Sequence, residues 1–357
     1  MKFIAKALLV VGFGVSGCAM DAGEAPEAVE LESAALRANH LHYDEVLVPE
    51  VAPGYDLFGP TGVAKHGDIF GSGLDCNEDF SVCEVDLLKL DLDGNFTTVA
   101  VDFSVVDVND HGDSGGCVID NDTGTGQAAI AHPNGRIEVL PRLAAEISSC
   151  ILQISDSETA LVQSFGEAGE TLYVSRNRRT FPVVLPEGSS IRDINDKGEL
   201  AGIIATGTPE GNRAFRYDSR TQTTTILEPV AGDPNSWGLG INRQGEVLGY
   251  SFVFSAVERV GKWKRNNQFQ IAFVEGTPEF PTVSNQLIWN EKELIVVSDT
   301  NDGNTYLIPK PGTRLNLADL VEGGAVPPLF AYSINEKGDF LAQTLDDFTF
   351  RLYVRTN

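Results

Sequence analysis

The segment INDKGELAG, from Ile194 to Gly202, places a tight polar turn between two short apolar runs, and its recurrence constrains this chain more than any other feature. Asn195 can hydrogen-bond its own backbone to start a type I turn, and Gly198 can supply the left-handed residue that closes a bulged hairpin. The same frame reads VAKHGDIFG from Val63, VNDHGDSGG from Val108, ISDSETALV from Ile154, INRQGEVLG from Ile241, WNEKELIVV from Trp289 and INEKGDFLA from Ile334. In chain order the copies start 45, 46, 40, 47, 48 and 45 residues apart. A period in this range marks one supersecondary unit repeated, and a unit of several short strands points to propeller blades.

Between Ser190 and Pro229 four strand-like runs follow one another: SIRDI, ELAGIIA, RAFRYD and TTTILEP. The third and fourth runs recur elsewhere, as LLKLD with FTTVAVD, as TLYVSR with FPVVLP and as TYLIPK with RLNLADL. Their connecting turns are rich in Gly, Asn and Pro, as hairpins require. The last unit offers YSINEK, DFLAQT and FRLYVRT but no fourth run before Asn357. Ahead of the first copy, YDEVLVPEVAP from Tyr43 to Pro53 looks like a fourth strand without partners of its own. Pairing it with the C-terminal strands closes the ring and leaves no open sheet edge. The expectation is an all-β fold, a seven-bladed β-propeller over residues 40–357 whose N-terminal strand completes the last blade.

INDKGELAG followed by RAFRYD resembles the bacterial extracellular HAF-repeat proteins, whose units pair an IN-x-x-G turn with an Ala-Phe strand. Here the Ala-Phe pair stands at Ala214 and Phe215. The units from Ile154 and Trp289 lack the turn Gly, so their hairpins must close differently. The resemblance implies a secreted repeat protein and supplies no catalytic residues.

The N-terminus carries Lys2 and Lys6, an apolar run from Ala7 to Val15, then Ser16 and Gly17 before Cys18, which reads as a secretory signal over residues 1–17. VSGC resembles the lipobox of bacterial lipoproteins, which implies that Cys18 is lipidated and becomes the first mature residue. The apolar run is shorter than the ~20 residues of a spanning helix, so the implied membrane contact is the lipid anchor. Residues 18–39 lack aromatic side chains and read as a flexible acidic tether. In such lipoproteins Asp after the lipidated Cys can signal inner-membrane retention; Ala19 stands there instead, which implies the outer membrane, facing the periplasm or the cell surface.

With 51 acidic and 26 basic residues the net charge is -25, which disfavours nucleic acid or an anionic membrane face and suits a cationic or neutral partner. Cys76, Cys83, Cys117 and Cys150 are an even set in an exported chain and read as disulfides. Four cysteines allow three pairings, and proximity favours Cys76 with Cys83 and Cys117 with Cys150. No metal is expected from the cysteines, because no C-x-x-C spacing or nearby histidine pair makes a zinc site.

Gly112 to Gly116 read GDSGG, like the nucleophile segment of chymotrypsin-like serine proteases. That family needs His and Asp before the Ser and a second barrel, whereas here the segment occupies the frame of GELAG and GEVLG. The repeat already explains it.

Loops joining second to third strands should share one face, and they are acidic: Asp75, Glu78, Asp79, Asp120, Asp122, Glu167, Glu170, Glu210, Asp299, Asp302, Asp346 and Asp347. A solvated rim accounts for them. A binding role would centre on Asp75, Asp79, Asp120, Asp122, Asp299 and Asp302, since DNDTGTG and DTNDGN cluster oxygen ligands with glycines as calcium loops do, although neither fits the twelve-residue calcium-loop pattern. No other cofactor is implied. Basic residues instead fall in third-to-fourth turns, at Arg176, Arg178, Arg179, Lys262, Lys264 and Arg265, on the opposite face. Asp107, Gln153, Asp193 and Ser333 each precede the apolar residue of a frame and suit hydrogen bonds between blades better than catalysis.

The functional expectation is a lipid-anchored, monomeric binding or scaffold module for a glycan or an envelope protein. The alternative is a polysaccharide hydrolase or lyase using carboxylates on the acidic face or in the channel, recognisable by two carboxylates at glycosidase separation. Because the frame recurs with changing residues, function is expected in the irregular loops rather than in the turn itself.

Overall fold

Each copy of the frame forms the first hairpin of a four-stranded antiparallel sheet, and seven such sheets make up a β-propeller. The structure is a computed structural model; it describes residues 41–357 apart from 78–82, 145, 168, 207–210, 254–256, 276–286, 300–302, 325, 327–328, 345–346 and 357. The leader, Cys18 and the tether therefore lie outside the described residues, as do Glu78, Asp79, Glu210, Asp302 and Asp346. Blade one runs Leu57–Val63, Ile69–Cys76, Cys83–Leu90 and Phe96–Ala100 from the axis outward. The inner strands of blades two to seven are Phe103–Val108, Glu146–Ile154, Ser189–Ile194, Asn235–Ile241, Leu287–Trp289 and Leu329–Ile334.

The turn chemistry works as the frame dictates. Asn195 Oδ1 accepts the backbone N–H groups of Lys197 and Glu199, each at 3.0 Å, and Gly198 takes φ 75° while donating its N–H to Asn195 O at 2.9 Å. In the two units without Gly the left-handed position is taken by Glu158 (φ 59°) and Glu293 (φ 64°). A side chain there costs roughly 1–2 kcal/mol, which the rest of the hairpin offsets.

Six inner strands slip register by one residue just before the frame, leaving Thr61, Val106, Leu152, Arg192, Leu239 and Tyr332 unpaired on a bulge. The bulge drives a strand-one carbonyl toward strand two, and this explains the glycine that ends four of the frames. A Cβ at Gly71, Gly116, Gly202 or Gly249 would lie 2.4, 1.9, 2.1 or 1.8 Å from the carbonyl oxygen of Gly59, Ser104, Ser190 or Trp237.

The core lies between blades. Leu161 and Val174 of blade three pack with Ile194, Leu200, Phe215 and Tyr217 of blade four, and comparable clusters fill the other seams. Tyr43–Leu47 pairs with Phe350–Arg355, from Tyr43 opposite Arg355 to Leu47 opposite Arg351, and completes blade seven as its outer strand. Tyr43 is 1% exposed, donates its hydroxyl to Gly338 O at 3.1 Å and meets the Phe340 ring edge-on. Glu45 accepts from Arg351 and from the Tyr353 hydroxyl. Cys76 is bonded to Cys83 across the second hairpin of blade one, and Cys117 to Cys150 across the seam of blades two and three.

Gly202→Ala tests the bulge. The added methyl group would run into the Ser190 carbonyl oxygen and the Phe215 ring, so chemical denaturation should show a loss of about 1–3 kcal/mol. Unchanged stability would mean that the bulge yields freely.

Candidate functional site

The residue after the turn Asn is charged in every copy of the frame: Lys65, Asp110, Asp156, Asp196, Arg243, Glu291 and Glu336. Each turn ends an inner strand, so this position falls at the mouth of the central channel. Asp110, Asp156, Asp196 and Glu291 line a cavity there of ≈ 400 Å³. The carboxylates reach across blades to backbone donors. Asp156 Oδ1 accepts from Asp110 N at 3.0 Å, Asp196 Oδ1 from Ser157 N at 3.0 Å, Glu291 Oε1 from Arg243 N at 2.8 Å, and Asp110 Oδ2 from Glu336 N at 2.8 Å. Arg243 extends over the mouth, donating Nε to Asp196 Oδ2 at 2.7 Å and Nη2 to Asp156 Oδ2 at 3.3 Å, with Glu336 Oε1 at 3.9 Å.

Crowding of like charges at reduced solvation shifts the acids upward. Burial and then the neighbouring Asp156 charge push Asp110 up to about 7, and burial also raises Asp156 and Glu291. Asp196, although partly buried, is held below its ordinary value by its hydrogen bond to Arg243. The same bond raises the Arg243 guanidinium.

Beneath this ring lies a layer that ties blades together. Asp107 accepts Val108 N at 2.9 Å and, from the next blade, Ile154 N at 2.8 Å; Asp193 does the same with Ile194 N at 2.8 Å and Ile241 N at 2.7 Å. Ser333 Oγ accepts Val63 N at 3.2 Å, and Gln153 Nε2 donates to Arg192 O. All four join neighbouring blades. Burial pushes Asp107 up to about 6 and Asp193 up to about 7.

The bulge residues form the third layer. Val106, Leu152, Leu239 and Tyr332, with Ile288, make an apolar collar, and Arg192 adds one exposed cation. Val106 is 41% and Tyr332 47% exposed, so the collar is open to solvent. Tyr332 is held in place by its hydroxyl, which donates to Gln343 Oε1 at 2.9 Å, and by the Phe350 ring at 5.5 Å.

Among the described residues, two groups could hold a cation. The oxygens of Asp110, Asp156 and Glu336 lie within 4.8 Å of one another, and there Arg243 already supplies positive charge. The second group is Asp113, His132 and Glu158. His132 Nδ1 lies 2.7 Å from Asp113 Oδ1, while Arg136, which can only donate, meets Nε2. The proton therefore sits on Nδ1 and points at Asp113, where a metal would have to displace it.

GDSGG forms no triad. Ser114 is fully buried and its Oγ has no hydrogen-bond partner, and His132 Nε2 faces Arg136. A Cβ at Gly115 would meet Ile151 Cγ2 at 2.8 Å, so the segment serves the seam to blade three. Of the acidic loops, Asp75, Asp120 and Asp122 are exposed. Asp120 Oδ1 is engaged by Asp122 N at 3.0 Å and Thr123 N at 3.2 Å, and hydrogen bonds from Thr123 hold its carboxyl below the ordinary range. Asp299 ends the strand Ile295–Asp299, while Asp79 and Asp302 lie outside the described residues. The basic turns stand beside the frame turns, where Lys262 pairs with Glu246 and Glu293, Arg265 with Glu199, and Arg176 donates to Lys197 O.

Sequence reasoning missed the channel mouth because it treated the variable residue of the frame as noise. The signal was there: one column, charged in all seven copies. The bulge residues carried no comparable mark.

No family model and no curated protein sequence matches the chain. Solved structures do. The fold is similar to the acylaminoacyl peptidase of Pyrococcus horikoshii (13% identity, TM-score 0.57, 84% of this chain and 52% of that one), so the chain spans about half of that protein. It is similar to the β-propeller domain of the Trilobed protease from Pyrococcus furiosus (8% identity, TM-score 0.54, 83% and 92%), which has an open velcro topology where the ends here are paired. It is also similar to an oligogalacturonate lyase in complex with manganese (11% identity, TM-score 0.50, 88% and 98%). At these identities the likeness shows the fold alone.

The raised mouth carboxyl makes stability depend on pH with a definite sign. Asp110 goes from its ordinary 3.8 to about 7 in the folded chain, so its contribution is full below about pH 4 and is lost as pH rises through about 7. Asp110→Asn should therefore be more stable than the parent at about pH 8, with an advantage that is reduced at about pH 5 and gone below about pH 4, read by urea denaturation. An advantage that grows on acidification would refute the assignment.

Proposed function

We propose that this protein is an exported, lipid-anchored binding module that takes a glycan into its central channel from the face opposite the turns. The carrying observation is the division of labour along the channel. At the turn end, Arg243 and the carboxylates engage one another and backbone N–H groups. In the next layer, both oxygens of Asp107 and of Asp193 accept backbone N–H groups. These acids hold the ring together, which leaves little for general acid and base work and supports binding over a hydrolase or lyase.

The collar has what a sugar site needs: an exposed aromatic ring at Tyr332 for an apolar sugar face, aliphatic walls at Val106, Leu152 and Leu239, and the Arg192 guanidinium as donor. Thermal melting of the mature chain with a panel of neutral and acidic oligosaccharides tests this. A ligand should raise the melting temperature, and Tyr332→Ala with Arg192→Ala should abolish the shift while the unliganded chain still melts cooperatively. No shift across the panel removes the glycan reading, and turnover of a panel member would favour the enzyme.

The anchor rests on the leader and on VSGC at Val15 to Cys18. Cys18→Ser should move the protein from the membrane to the soluble fraction of an expressing bacterium. Equal partition of both forms would remove the anchor from the proposal.

A further inference from the structure

The turn face carries a second cavity, of ≈ 720 Å³, whose character is opposite to that of the chain. Lys65 and His66 from blade one, Lys292 from blade six, and Lys337, Val354, Arg355 and Thr356 from the blade-seven side line it, with Glu336 as its one carboxylate. Three neighbouring turns converge here for a structural reason. In blades two, three, four and six the third frame residue lines the channel cavity, whereas Lys65 and Glu336 of blades one and seven line this groove together with the fourth residues His66, Lys292 and Lys337. Blade one adds a cation at the third position as well, Lys65, where five other blades have a carboxylate.

We propose that this groove binds an acidic oligosaccharide, with sugar carboxylates against Lys65 and Lys292 and the chain of sugars crossing blade seven. Lys65 and Lys292 are exposed and make no side-chain ion pair among the described residues. Glu336 also lines the groove and Asp339 pairs with Lys337, but both carboxylates have partners other than Lys65 and Lys292. Glu336 turns toward Arg243 at 3.9 Å, and Asp339 is buried, accepting from Asn335 Nδ2 at 3.0 Å and Arg355 N at 2.7 Å with Lys337 Nζ at 3.4 Å. What remains is a pair of lysines, Lys65 and Lys292, without a carboxylate partner among the described residues.

The arrangement selects the ligand class. A lone phosphate is best held by donors converging on a point, such as an Arg fork or clustered backbone N–H groups. Here the free donors are two ammonium groups, which act as point charges, and they come from different blades on either side of blade seven. Spread point charges suit an anion whose charges are themselves spread along a chain. Thr356 and His66 add hydrogen-bonding groups for sugar hydroxyls. The net charge of -25 does not forbid this, because at physiological salt exposed charges beyond about 8 Å are largely screened and the groove is felt at contact.

The site is separate from the channel collar and is tested separately. The mature chain is titrated with a fluorescein-labelled oligomannuronate, read by anisotropy at about 0.15 M salt. Saturable binding is expected, and Lys65→Glu with Lys292→Glu should weaken it about tenfold or more. Arg178→Glu makes a charge reversal on the same face at a side chain 84% exposed and should leave affinity unchanged. The melting temperature of each variant reports folding. Absence of binding, an equal loss in Arg178→Glu, undiminished binding in Lys65→Glu with Lys292→Glu, or displacement by inorganic phosphate or a neutral oligosaccharide as effective as by unlabelled oligomannuronate would each overturn the assignment.

Discussion

The ring depends on one side chain per turn. In most frames an asparagine uses its oxygen to close its own hairpin and its amide to reach the backbone of the next blade. Asn109 Nδ2 donates to Ser155 O at 3.1 Å, Asn195 to Asn242 O at 2.9 Å, Asn290 to Asn335 O at 2.9 Å and Asn335 to Ala64 O at 2.7 Å. These groups are buried, so each bond spares the cost of an unpaired amide as well as contributing about 1 kcal/mol of its own. Where the Asn is missing, other donors serve. Lys65 N donates to Asp110 O at 2.8 Å from blade one, and Thr159 Oγ1 to Asp196 O at 3.2 Å from blade three.

This interaction has a geometric consequence for function. Tying the turns to one another brings the next residues together, so that Asp110, Asp156, Asp196 and Glu291 line one mouth, Glu336 stands close to Asp110 and Asp156, and Arg243 reaches across. Five acids cannot all be ionised and unpaired there, and the structure answers with Arg243, with cross-blade N–H donors and with raised proton affinity at Asp110. The mouth thus becomes a polar closure. The collar below is a product of strain relief of another kind: the bulge that accommodates the strand twist extrudes one residue in six of the seven blades, and those that reach the channel include Leu152, Leu239, Arg192 and Tyr332.

Net charge and local charge tell different stories in this molecule. A chain at -25 repels anions at a distance, yet the outward row of the turns at blades six, seven and one is cationic. Composition sums over the surface and loses this. Only the order of blades around the axis shows that Lys292, Lys337 and Lys65 are neighbours, since Lys65 and Lys337 stand at opposite ends of the sequence.

The repeat frame by itself determined the blade count, the hairpin chemistry and the closure. Those follow from local physics: an Asn that bonds its own backbone, a Gly at positive φ, and an unpartnered segment at Tyr43 that needs an edge. The decoy GDSGG was legible for the same reason, as a frame and not as a nucleophile. What tertiary structure alone decided is the site. The charged column after the turn Asn looks like surface variation until the turns close into a circle. The bulge at Arg192 and Tyr332 has no sequence signature, because it follows from strand twist and from carbonyl packing against glycines such as Gly202 and Gly249. Local turn chemistry is written residue by residue, whereas a channel is made by side chains from seven distant segments that meet only when the ring is complete.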